Sequence, residues 1–133
     1  MIELVVVLAI FGAIMIMGLF FDFTFYRGSS LNADVDIFVS VLQRARAKAI
    51  NNINESNHGI YIGPDDYVLF QGEVYTDPLR DKSFDQNISR HSGLLFNISE
   101  LVFSRISGNS SFEGDIIITG SNKIATISLN HEG

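Results

Sequence analysis

The sequence holds no cysteine, which excludes disulfide staples, thiol nucleophiles and thiolate-bound zinc. Positive charge is scarce as well: 9 Lys+Arg stand against 15 Asp+Glu, a net charge of −6. Phosphate binding needs clustered cations, so no direct nucleic-acid binding is expected. His58, His91 and His131 are scattered, with no HxxxH or HExxH spacing, so they predict solvated or turn histidines and no metal site. Serine-nucleophile, phosphate-loop and dinucleotide motifs are all missing, and neither an enzyme activity nor a cofactor is expected. What remains is a chain of 133 residues, 47% hydrophobic: enough for one domain with a modest core, and too apolar for a disordered tail.

The apolar residues are unevenly placed. Met1–Phe21 reads MIELVVVLAIFGAIMIMGLFF, with Glu3 its one charge. As a helix rising about 1.5 Å per residue, such a run spans a hydrocarbon core of about 30 Å. It lacks the basic start and small-residue cleavage site of a secretory signal, so a retained transmembrane helix is expected. The next segment, DFTFYRGSS, combines indifferent helix formers with a Gly-Ser-Ser breaker cluster. It predicts a flexible, locally melted connector at Asp22, Gly28, Ser29 and Ser30, closing a first region over residues 1–30.

Residues 31–133 read as a globular head. Leu31, Val35, Phe38, Leu42, Ala45 and Ala49 form an amphipathic stripe, predicting a helix over 31–52 with one face for a sheet. Arg44, Arg46 and Lys48 lie off that stripe, near the helix C-terminus where cations suit the helix dipole. Short runs rich in Ile, Val, Phe and Tyr then predict strands at 58–62, 67–71, 94–97, 101–105, 115–119 and 123–129. GPDD at 63–66 and GSNK at 120–123 read as hairpin turns, and 77–90 as a polar loop. Asp77, Asp81 and Asp85 recur every four residues but lack a calcium-loop pattern, so a solvated loop is expected. Four Asn-x-Ser sequons, at Asn54, Asn87, Asn97 and Asn109, suit an Asn- and Ser-rich composition as well as glycosylation. The fold class is α+β: a long N-terminal helix, apolar then amphipathic, packed on a small antiparallel sheet.

Glu3 is the most informative residue. A carboxylate within an apolar span costs about 2.5–3.5 kcal/mol at its centre and less near its end. Either Glu3 sits at the headgroup boundary, or it meets a cation when many such helices pack together, a neighbour's N-terminal amine being within reach. IELVVVLAI at 2–10 resembles the N-terminal signature of type IV pilins and type II secretion pseudopilins. ARAKAI at 45–50, GIYIGPDDYVLFQG at 59–72 and LVFSRISG at 101–108 are similar, in order, to the GspH/FimT-like subgroup.

This resemblance implies a ladle-shaped subunit of helical stalk and β-rich head. The precursor is cleaved by a prepilin peptidase, N-methylated, held in the cytoplasmic membrane, then drawn by an ATP-driven machine into an extracellular homo-oligomeric filament. Glu3 matches the family's assembly glutamate and would pair with the terminal amine at Met1 of a neighbour. Filament-core packing would fall to Ile2, Leu4, Val5, Val6, Val7 and Leu8, followed by Ile10, Phe11, Ile14 and Met15. Gly12 and Gly18 would permit close approach, although their spacing is not GxxxG.

The sequence departs from the family by lacking a leader and the first two mature residues, which implies a start inside a longer chain. It also has no proline in the stalk. The positive-inside rule, applied to Arg27, Arg44, Arg46 and Lys48, would place the head in the cytoplasm; a basic leader reverses that count. Two other readings stand beside a filament pilin: a minor pilin or pseudopilin of a secretion machine, and a single-pass anchored surface binding module.

Overall fold

The computed structural model describes residues 2–120 and 123–132, and for residues 17–30 the backbone alone. The chain divides into two units, Met1–Ala33 and Asp34–Gly133. One helix, α1 (Ile2–Ile50), contributes to both.

The first unit corrects an expectation. The backbone is helical through residues 22–30, where a melted connector is predicted at Asp22, Gly28, Ser29 and Ser30. A glycine costs a helix only about 1 kcal/mol, and each added residue contributes one hydrogen bond. Proline would remove an N–H and clash with a carbonyl, but none occurs in α1. Poor propensity without that steric block does not end a helix. Among the described residues no helix is long and apolar enough to cross a membrane, and the side chains of 17–21, which complete the apolar run, lie outside them.

In the second unit, residues 34–50 of α1 pack on antiparallel strands, giving the α+β class. Of the predicted stripe, Phe38, Leu42, Ala45 and Ala49 are buried here, joined by Val41, and Val35 is half-buried. The helix ends where Asn52 adopts the left-handed conformation (φ 50°), which asparagine tolerates. The turn at 105–108 closes over this end, with the Ile106 N–H donating to the Ala49 carbonyl at 2.9 Å. Gly108 has φ +67°, and a Cβ there would lie 2.5 Å from Ile50 Cγ1, so both conformation and space require glycine.

Two sheets replace the single one expected. The first has strand order β3-β2-β1-β5, from β1 (His58–Ile62), β2 (Asp66–Gln71), β3 (Gln86–Ser89) and β5 (Glu100–Phe103). The second has order β4-β6-β7, from β4 (Leu95–Phe96), β6 (Gly114–Thr119) and β7 (Ile124–Leu129). The 63–66 turn closes β1 on β2, with the Gly63 N–H donating to the Asp66 carbonyl at 2.9 Å. Gly120 donates likewise to Lys123 between β6 and β7. Tyr67 of β2, Phe96 of β4 and Phe38 of α1 meet with ring centroids 5.1–5.9 Å apart, so one aromatic trio ties the helix to both sheets.

β3 lies inside the segment predicted to be loop. Gln86, Asn87 and Ser89 carry no strand signal, and pairing with Val68 and its neighbours on β2 imposes the extended form. The loop before it is fixed by Arg80, whose guanidinium makes a two-pronged pair with Asp85 and lies 4.8 Å from the Tyr75 ring centroid. Tyr75 in turn stacks on Tyr61 at 4.0 Å.

Candidate functional site

Residues 2–16 of α1 expose every large apolar side chain they carry. Val6, the least exposed, is 52% open, and Ile2, the most, is 79% open. These residues fall on every side of the helix, so no polar face turns toward water. Ile2, Leu4, Val5, Val6, Val7, Leu8, Ile10, Phe11, Ile14 and Met15 all belong to this surface. A Cβ at Gly12 would meet nothing within 4 Å, which leaves room for another backbone. Glu3 is exposed in the first helical turn, where a carboxylate suits the helix dipole. Among the described residues no cation pairs with it. Met1 lies outside the described residues, as do the side-chain surroundings of Gly18, Asp22, Gly28, Ser29 and Ser30.

The second unit spends its charged and polar groups on structure. Asp77 accepts from the Leu79 N–H and Asp81 from the Ser83 N–H, each at 2.9 Å, and Asp85 holds Arg80. The bond from Ser83 holds the Asp81 carboxyl below its ordinary value. The three aspartates are therefore engaged locally, and among the described residues no group of three His, Asp or Glu converges on a metal position. Asn97 bridges strands, donating to the Asp115 carbonyl and accepting from the Ile117 N–H, each at 2.9 Å.

One histidine departs from its expected solvation, while His91 and His131 are exposed as expected. His58 is only 3% exposed, and its Nε2 lies 2.9 Å from the Ile53 carbonyl. Burial pushes its pKa down. It lines a cavity of about 220 Å³ with Leu69, Phe70, Phe84 and Lys48, whose amine burial also pushes down. His91 Nδ1 stands 3.1 Å from the buried carboxylate of Asp34. Nearby, burial pushes the Tyr67 hydroxyl up to about 12, against the influence of the Arg90 guanidinium. Sequence reading missed the Asp34–His91 pair: Asp34 sits one place before Val35 of the stripe, and only the fold brings His91 to it.

Two surfaces thus contrast: an all-round apolar helix opened by one carboxylate, and a folded unit that engages Asp77, Asp81, Asp85 and Asn97 internally. Among the described residues, that unit leaves Arg46 Nε, Asn52 Oδ1, Tyr67 Oη and Arg90 Nε buried without a partner. No protein-family profile, curated protein or solved structure matches this chain.

Proposed function

We propose that the chain is a structural subunit that polymerises through its N-terminal apolar helix into a type IV pilus-like filament. The observation that carries this reading is the surface of residues 2–16, apolar on every side, with Glu3 its one charge. A helix of that kind is stable only in lipid or among other apolar helices. The subunit waits in the cytoplasmic membrane after cleavage by a prepilin peptidase. An ATP-driven machine then moves it into an extracellular homo-oligomer. Lipid and protein are equally apolar surroundings, so burial alone sets no register; packing at Gly12 and pairing of Glu3 with a neighbour's terminal amine do. The folded unit forms the outer wall.

The test is electron microscopy of the fraction sheared from intact cells, labelled with antibody against the folded unit. Labelled filaments are expected from the wild type, and Glu3→Ala is expected to insert into the membrane yet assemble poorly. Wild-type amounts of filament from that variant would overturn the pairing mechanism. Monomer retained in the membrane by both chains would assign an anchored binding module instead.

A further inference from the structure

The geometry points to a second interaction surface: the free edge of β7, which we propose pairs antiparallel with β7 of a second copy of this chain. Backbone phase fixes which groups are free. The Ile117 N–H and carbonyl both engage the Asn97 side of β6, at 2.9 and 3.3 Å, and the Asp115 carbonyl does the same. Peptide groups alternate along a strand, so Ile116 and Ile118 face β7 and bond to their partners Ile127 and Ala125. Ile124, Thr126 and Ser128 therefore direct their N–H and carbonyl groups away from the sheet.

The other edges are blunted. The β5 edge is covered by Ser111, whose hydroxyl accepts from the Val102 N–H at 3.0 Å and whose N–H donates to the Val102 carbonyl at 2.8 Å. β4 has two residues. β3 is short, polar and flanked by Asp85 and Arg90. β7 carries six residues with no charge and no proline, which are the devices that ordinarily prevent edge pairing.

Register selects a second copy as the occupant. β7 carries no charge of its own, Lys123 stands at its start, and the Asp115 carboxylate beside it accepts from the Ser128 hydroxyl at 2.6 Å. Antiparallel pairing about Ile127 sets Thr126 opposite Ser128 of the second copy and Ala125 opposite its Leu129. Every inward pair is then apolar and every central outward pair is hydroxylic, both favourable across strands. Ile127 and Leu129 already border an apolar cavity of about 320 Å³ with Leu42 and Ile50, and the second strand extends the roof over it.

The absence of native cysteine makes the test direct. Thr126→Cys and Ser128→Cys chains, both altered at exposed positions, are mixed in detergent micelles and oxidised. Opposite residues lie about 5.5 Å apart at Cα, within disulfide reach, whereas diagonal ones lie about 7–8 Å apart. The mixed dimer is expected to exceed either homodimer about tenfold, and Ile127→Cys alone is expected to link to itself, as geometry requires. Absence of a mixed disulfide, homodimers in equal yield, or equal linking by the control Ser83→Cys would overturn the pairing. The same yields in a Glu3→Ala background are expected, because the edge is independent of filament assembly; a filament defect leaves this readout intact.

Discussion

One helix does two different things along its length. Over residues 2–16 it exposes Leu4, Leu8, Phe11 and their neighbours; over 34–50 it buries Phe38, Leu42, Ala45 and Ala49. The difference lies in placement rather than in apolar content. The later segment confines its large apolar residues to a stripe that its own sheets cover, so the chain satisfies itself. In the earlier segment they surround the axis, and no fold of this chain's own covers them all. Unsatisfied apolar surface on this scale marks an interaction surface. The contrast assigns folding to one segment and, under the proposed function, assembly to the other.

The sharpest way to break that contrast is to put a charge where the helix meets its sheets. Leu42 is 6% exposed. Truncating such a residue to alanine costs about 2–5 kcal/mol, a large share of the roughly 5–15 kcal/mol that holds a domain together. Leu42→Asp adds the desolvation of a carboxylate and is expected to abolish folding of the second unit. Limited proteolysis of the full chain checks this, and a protease-resistant Leu42→Asp head would refute the assignment.

A smaller effect separates the units by pH. His58 has a lowered pKa in the folded unit, so the unfolded chain binds its proton more readily. Its contribution to stability is complete above the ordinary value of 6.5 and falls as the pH drops toward the lowered one. Thermal unfolding of the second unit is expected to lose stability across that window, and His58→Gln is expected to flatten the loss. An unchanged slope in that variant would place the acid sensitivity elsewhere.

How far the sequence disclosed this arrangement depends on the kind of signal. The buried stripe was largely legible because 3.6-residue periodicity is a local property, and the 63–66 turn because its residues favour a sharp reversal. β3 was not legible, since Gln86–Ser89 become a strand only by pairing with β2. Division into two sheets was equally hidden: Asn97, Phe96 and Ser110 decide it through contacts distant in sequence. The helical backbone through Gly28 shows the opposite error, in which a local breaker signal was too weak to interrupt propagation. In the apolar segment, composition exposed the surface of residues 2–16 completely, because a helix with no polar face needs no tertiary information to be recognised.

The finest test applies one substitution chemistry to both segments. Leu8 is 64% exposed and Leu42 is buried, yet each is a leucine in the same helix. Leu42→Ala is expected to destabilise the second unit by about 2–5 kcal/mol. Leu8→Ala removes atoms that contact no core of this chain and is expected to change its unfolding by less than about 0.5 kcal/mol. Under the proposed filament its effect falls on assembly instead: each lost contact would recur at every subunit, so a folding-neutral change is expected to lower filament yield. Thermal melts of both variants, set beside the quantity of sheared filament, measure the two effects separately. A Leu8→Ala chain that melts early would show that residues 2–16 do serve the fold. One that melts normally and yields fewer filaments would locate the function of this segment wholly in contacts between chains.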